Sequence, residues 1–428
     1  MFQKFKRKNN KFMRIVLLNL LITFSAWACQ PQPQTQKTVV MQEEQPVEII
    51  TGAEQTETYL PLLNGKQIAM VVNHTSRIGE THLVDSLLAL DVQIKHIFAP
   101  EHGFRGDAGA GEKIDNSVDT QTGLPIISLY GANRKPQPEQ LAGIELVIFD
   151  IQDVGARFYT YISTMHYVME ACAEAGVPLL ILDRPNPNGY YVDGPVLDLQ
   201  QQSFVGMHPI PVVYGLTVGE LAQMVNGEKW LENGIQCDVE VIQLKNYTHK
   251  DKYSLPVKPS PNLPTDAAVN LYPSLCFFEP TQVSIGRGTS FPFQVMAYPD
   301  PQLGAKLQMQ YAEVDTIQFT PMSIPDAAPT PKHENQPCYG VDLTEVASVN
   351  EIKLDFLLNF YNEAKKAGLA DDFFTNEIFF NKLAGNEELL AQIKAGKTEV
   401  EIRQSWEDDL NAYKNMRKKY LLYEDFGE

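Results

Sequence analysis

Cysteine is scarce in this chain, with five in 428 residues. Setting Cys29 aside, the spacings of Cys172, Cys237, Cys276 and Cys338 fit neither a disulfide scaffold nor a zinc site, so these four are expected to be buried thiols. Positive charge is short too, with 35 Lys and Arg against 53 Asp and Glu. Nucleic-acid binding by counterion release needs clustered basic residues, and none occurs beyond the extreme N-terminus, so no nucleic-acid partner is expected. The apolar run Ile15 to Phe24 is too short to span a bilayer as a helix.

Several catalytic signatures are missing as well. No G-x-G-x-x-G loop follows the first predicted strand, which argues against a nicotinamide or flavin cofactor. Gly106-Asp-Ala-Gly-Ala-Gly-Glu-Lys113 resembles a phosphate loop but puts Glu112 where the lysine belongs, and a carboxylate there repels phosphate. There is no G-x-S-x-G elbow for a nucleophilic serine. His333-Glu334 lacks the second histidine of a zincin helix, and a site built from His74, His102, Asp150 and Asp153 has no specific ligand spacing. No cofactor and no metal are therefore expected, and nothing points to a protein partner.

What is present begins with a processing segment over residues 1–28. Lys4, Lys6, Arg7, Lys8, Lys11 and Arg14 precede the apolar run, and Ser25-Ala-Trp-Ala-Cys29 follows it. This is similar to a bacterial lipoprotein signal. Cleavage before Cys29 would leave a lipid anchor and a periplasmic, membrane-tethered protein; Trp27 is bulky for that position, so simple secretion stays open. Loss of the segment removes six positive charges and no negative ones, moving the formal charge from −18 to −24. The Gln- and Pro-rich stretch after Cys29, extended by acidic residues to Glu48, cannot bury a core, and residues 29–58 are expected to form a disordered tether.

From Gln67 onward, short apolar runs alternate with helix-period segments, which predicts βαβ units on a parallel sheet. The runs are Gln67 to Val72, Ile94 to Phe98, Leu146 to Ile151 and Pro178 to Leu182, followed later by Val239 to Leu244. Helices are expected at Thr81 to Leu90, Tyr161 to Ala175 with Gly176 as its stop, and Thr217 to Asn226. The first four runs end in polar residues: His74 and its neighbours, Glu101-His102, Asp150 with Asp153, and Asp183-Arg184. In an open α/β sheet such ends line a single crevice. Five prolines between Pro256 and Pro273 mark the passage from a domain at 59–258 to one at 259–428. The second domain carries helices at Leu354 to Lys366, Glu387 to Lys394 and Trp406 to Tyr420.

The stretch Phe98-Ala-Pro-Glu-His-Gly-Phe-Arg-Gly106 sets Glu101, His102 and Arg105 on the loop leaving a strand. Phe277 to Thr289 repeats the combination of acid and guanidinium, Glu279 and Arg287, in a glycine-punctuated loop. Two carboxylates flanking a glycosidic bond suffice for hydrolysis, one donating a proton and the other activating water or attacking the anomeric carbon. Glu101 and Glu279 are the expected pair, with Asp153 the other candidate for the second carboxylate. Asp153, Arg157, Tyr159 and Tyr161 are expected to line the substrate site.

Together, Pro100 to Gly106, Asp150-Ile-Gln-Asp-Val-Gly-Ala-Arg-Phe-Tyr-Thr-Tyr161, Asp183-Arg-Pro-Asn-Pro187 and Phe278 to Thr289 resemble a bacterial family whose characterised members are exo-β-N-acetylmuramidases of the NamZ type. The resemblance runs from about Gly65 to the C-terminus, with Pro280 and Ile285 departing from the expected pattern. It implies a Rossmann-like α/β domain joined to a smaller C-terminal α/β domain, with the active cleft between them. It also implies release of terminal N-acetylmuramic acid from the non-reducing end of peptidoglycan fragments, with Glu101 the leading catalytic residue. Rival readings are a non-enzymatic lipoprotein that binds peptidoglycan fragments, and a metal-dependent esterase or deacetylase. An acidic protein that takes a sugar bearing a lactyl carboxylate needs a guanidinium at the cleft. Arg287 is the first choice and Arg105 the second, ahead of Arg157 and Arg184.

Overall fold

The computed structural model describes residues 47–105, 116–311, 314–346 and 349–427. The signal segment, Cys29, the tether up to residue 46 and the stretch Gly106–Lys113 lie outside the described residues. The strands are β1 (Ile68–Val72), β2 (Arg77–Ile78), β3 (Thr81–His82), β4 (Ile94–Ala99), β5 (Ser117–Val118), β6 (Pro125–Ser128), β7 (Leu146–Asp150), β8 (Leu179–Leu182), β9 (Val239–Ile242), β10 (Val295–Tyr298), β11 (Thr316–Phe319) and β12 (Cys338–Asp342).

Seven of them form one sheet in the order β5-β6-β4-β1-β7-β8-β9, parallel throughout except for β5 at one edge. A sheet covered on both faces must be apolar on both, which is why β1, β7 and β8 read as unbroken apolar runs and every residue in them is buried. The two-residue period still sorts the side chains. Ala69, Val71, Val147, Phe149, Leu179 and Ile181 enter one core, while Ile68, Met70, Leu146, Ile148, Leu180 and Leu182 enter the other.

The first core also takes in the helix Tyr161–Ala175 and much of the C-terminal half, including Val341, Leu357, Phe380 and Trp406. The second is covered by the helices Thr56–Leu63 and Leu83–Leu88. This corrects the extent of the expected tether, because its last ten residues are packed. Ile50 exchanges both backbone hydrogen bonds with Lys245, Gly52 N–H donates to Asp183 O at 2.9 Å, and Ala53 and Tyr59 are buried. Glu48–Glu428 form one compact unit.

The C-terminal half holds a second, antiparallel sheet in the order β10-β12-β11. Helix Pro301–Gln310 lies against β12 so closely that a Cβ on Gly304 would sit 2.9 Å from that of Tyr339. The proline-rich passage contains a helix the sequence reading lacked, Asp266–Leu275, with Thr265 accepting from Ala268 N–H at its start. Pro273 cannot donate to Val269 O within that helix, and Asn188 Nδ2 takes the carbonyl instead at 3.1 Å. Among the described residues no helix is long and apolar enough to cross a membrane. The four cysteines are buried free thiols, as their spacing led one to expect.

Candidate active site

Strand β4 delivers Glu101 and the chain then turns sharply: Gly103 N–H returns to Pro100 O at 3.1 Å, and His102 and Gly103 both have positive φ, 71° and 75°. Two other elements meet Glu101. Thr160, just before the helix Tyr161–Ala175, donates its hydroxyl to Glu101 Oε2 at 2.7 Å, and Tyr161 donates to Glu101 O at 3.3 Å. Tyr130, two residues past β6, brings its phenol to the same carboxylate. Burial pushes that phenol's pKa up, and the charge and hydrogen bonding of Glu101 push it further. Tyr130 was missed in the sequence because it sits in no polar cluster, and Thr160 because the larger Tyr159 and Tyr161 on either side of it drew the reading.

His74 and Arg105 line a cavity of about 550 Å³, facing Lys258, Asn262, Thr289 and Asp326 from the C-terminal half. His74 Nε2 lies 2.9 Å from Lys258 O, and burial lowers its pKa, favouring the neutral ring. His102, beside it, is buried. A second cavity of about 310 Å³ is lined by Glu279, Arg287, Ser284 and Lys332. Both cavities are lined in part by Ala327, so they adjoin one another.

In the second cavity Arg287 Nε donates to Glu279 Oε1 at 2.6 Å while its guanidinium stacks 5.2 Å over Phe293. Lys332 completes the group. Its ammonium donates to Phe278 O and Val283 O at 2.7 and 3.0 Å, and burial lowers its pKa to about 8, against the opposing pull of Glu279. No motif in the sequence marked Lys332. Ile285, apolar where a polar residue was expected, is buried, and Pro280 offers its carbonyl to Thr375 N–H at 2.9 Å.

An aromatic wall joins the two acids. Tyr161 packs edge-on against Tyr159 at 4.8 Å, Tyr159 against Tyr272 at 5.9 Å, and the Tyr272 phenol feels the charges of Arg287 and Glu279 after the larger effects of burial and Cys276. Tyr159 and Tyr161 are themselves buried, so they stand behind the site rather than lining it. Tyr159 OH is spent on Pro259 O at 2.8 Å.

Three expected contacts are corrected by burial. Arg157 is fully buried and its two terminal nitrogens donate to the carbonyls of Pro195, Ile210, Leu383 and Ala384 at 2.7–2.9 Å. It ties distant segments together and cannot reach a ligand. Arg184 is clamped on Asp150, with Nη2 to Oδ2 at 2.9 Å, and both are buried. Asp153 is 3 % exposed, and its Oδ1 accepts from Tyr214 OH and Gly155 N–H, locking its own loop. Its Oδ2 has no hydrogen-bond partner, and burial raises its pKa to about 6.

Arg105 is held by two acids, Asp119 at 2.8 and 2.9 Å and Asp85 at 3.4 Å. Among the described residues, the one set of acidic or histidine side chains close enough to share an ion is Glu170, Glu174 and Glu232. Lys135 already bridges Glu170 and Glu174 at 2.5 and 2.7 Å.

Comparison with known proteins fits this architecture. Sequence profiles described as exo-beta-N-acetylmuramidase NamZ match residues 68–267 with the N-terminal domain and residues 270–423 with the C-terminal domain. A Bacillus subtilis (strain 168) protein described as peptidoglycan beta-N-acetylmuramidase NamZ is 38% identical over 388 residues, covering 85% of this chain and 89% of its own. A crystal structure of a DUF1343 family protein from Bacteroides fragilis NCTC 9343 superposes with a TM-score of 0.78 at 45% identity, covering 89% of this chain and 100% of that one. A second from the same organism gives 0.77 at 29% identity, covering 88% and 99%.

Proposed function

The chain belongs to the exo-β-N-acetylmuramidase NamZ family, and on that premise we propose that it is a glycoside hydrolase releasing terminal N-acetylmuramic acid from the non-reducing end of peptidoglycan fragments. The observation that carries this reading is Glu101. It stands at the carboxyl end of a parallel strand, in a Glu-His-Gly turn, with hydroxyls of two other elements gathered on it.

Glu101 is assigned as the proton donor to the glycosidic oxygen. Glu279 is assigned as the second carboxylate: Arg287 holds it at 2.6 Å on the wall of the second cavity, where it can activate water or meet positive charge at the anomeric carbon. Asp153 does not take that role, because it is buried and its Oδ1 accepts from Tyr214 OH and Gly155 N–H. The test is hydrolysis of a chromogenic β-N-acetylmuramide, followed by identification of the released sugar. Tight binding of the sugar without release would replace the hydrolase with a binding protein.

We further propose a membrane-anchored location. The basic residues Lys4 to Arg14, the apolar run and Cys29 support acylation at Cys29, anchoring the enzyme to a membrane in the periplasm, where wall fragments arise. Mass spectrometry of the mature N-terminus decides it. A chain that begins elsewhere than at an acylated Cys29 would reject the anchor.

A further inference from the structure

The expected arginines are all engaged internally: Arg105 with Asp119 and Asp85, Arg184 with Asp150, Arg287 with Glu279 and Arg157 with four carbonyls. Another arginine lies near Glu101. Arg134, exposed on the loop after β6, rests its guanidinium 4.4 Å over the ring of Phe204. Phe204 in turn stacks with Tyr167 of the helix Tyr161–Ala175 at 6.3 Å and 16°, and tilts against Tyr130 at 6.4 Å. Among the described residues no carboxylate or carbonyl accepts from Arg134.

The contact matters because cation–π attraction to the ring holds the guanidinium without using any of its five N–H groups, which can then serve a bidentate acceptor. Tyr130 ties this group to the reaction centre, since its phenol lies against the Glu101 carboxylate and also feels the charge of Arg134. Arg134 and Glu101 thus act on the same phenol, and Phe204 touches both Arg134 and Tyr130.

We propose that Arg134, held by Phe204, is the site that binds the substrate's carboxylate beside Glu101. The inference rests on the glycosidase reading above. It names Arg134 in place of Arg105, whose donors face Asp119 and Asp85, and of Arg287, whose Nε donates to Glu279. In an unsubstituted N-acetylmuramic acid the carboxylate is that of the lactyl group. In a fragment carrying a stem peptide the lactyl group is an amide, and the carboxylate lies on the peptide.

The experiment compares wild type, Arg134→Ala, Arg134→Lys and Phe204→Leu on a β-N-acetylmuramide and on the same glycoside carrying a dipeptide. Calorimetric binding of free N-acetylmuramic acid and N-acetylglucosamine is measured alongside. Arg134→Ala is expected to raise KM on the muramide about 10- to 100-fold and to weaken N-acetylmuramic acid binding to match, with N-acetylglucosamine binding unchanged. Lysine restores little, because it cannot present a planar fork, and Phe204→Leu gives a smaller loss in the same direction. A larger effect on the plain muramide assigns the lactyl carboxylate, and a larger effect on the dipeptide form assigns the peptide's. Equal losses for both free sugars, or none, overturn the site. If wild type cleaves no muramide, the glycosidase reading fails, and the binding arm alone still decides whether Arg134 selects the acidic sugar. Absence of selective binding by wild type overturns the site as well.

Discussion

The loop that leaves β4 and the loops that leave β7 and β8 are built from the same kinds of residue and differ in how far their acids are covered. Each follows a buried parallel strand, and each places acidic and basic side chains together within a few positions. After β7 and β8 those groups are consumed: Asp150 by Arg184, Asp153 by Tyr214, and Asp183 by Thr217, Gly219 and Tyr423. After β4, Glu101 stays partly exposed. The difference comes from what lies on top. Tyr214, Tyr413 and Tyr423 belong to the segments that close over the β8 side of the sheet, with Tyr413 donating to Tyr214 O at 2.6 Å, whereas β4 lies toward the other edge. A polar strand end is therefore a place where chemistry can be put, and the covering elements decide whether it is used for binding or for holding the fold.

The contrast can be broken most directly at Glu101. Glu101→Gln keeps the shape and the Thr160 contact but removes the transferable proton, and it is expected to lower kcat by about 10²- to 10⁴-fold without shifting the thermal midpoint. Near-normal turnover on a substrate with a poor leaving group would take Glu101 out of the mechanism. A fall in the midpoint instead would place the β4 loop with the structural ones.

Arg184→Met tests the opposite end of the sheet. It leaves Asp150 buried without its cation, and breaking such a pair from one side costs about 3–5 kcal/mol of stability. Urea denaturation reads this directly, and the surviving folded protein should keep its turnover. A stable Arg184→Met enzyme with impaired binding would return Arg184 to the substrate site.

The smallest effect expected is a pH dependence. Burial holds the Asp153 carboxyl at about 6, above its ordinary 3.8, so between those values the folded protein keeps a proton that the unfolded chain has lost. The group supports the fold fully below about pH 4 and progressively less as the pH rises to 6, by about 3 kcal/mol in all. Asp183, raised to about 6 chiefly by burial, titrates in the same window. Asp153→Asn should remove its share of that decline, measured by urea unfolding between pH 4 and 7. An unchanged slope would mean that Asp153 is ionised in the folded protein.

Legibility followed burial. Strands β1, β7 and β8 were readable to within a residue because a sheet covered on both faces leaves an unbroken apolar run, β4 was as readable although its Lys95 is exposed, and helix Tyr161–Ala175 was readable to its Gly176 stop, where φ is 65°. The helix Thr81 to Leu90 was only partly right, because the tight hairpin of β2 and β3 takes its first residues and leaves Leu83–Leu88. The C-terminal helix starts at Glu399 rather than Trp406. Its signal was present in Thr398 and Glu401, a reciprocal cap, but its polar first turns hid the apolar period. Strands β5 and β11 escaped because they are short and mostly exposed, so neither carries a run or a clean alternation.

The site divides along the same line. By itself the sequence determined the parallel sheet, the position of Glu101 at a strand end and the placing of Glu279 and Arg287 in one loop, since each depends on residues a few positions apart. Only the tertiary structure decided which charged groups remain free to act. Arg157 is spent on carbonyls 226 and 227 residues away, Arg184 on an acid 34 residues back, and Arg134 is held by Phe204 from a separate loop. A guanidinium can satisfy one planar acceptor well, and what claims it depends on which chain segments fold against it, a fact that no local pattern records.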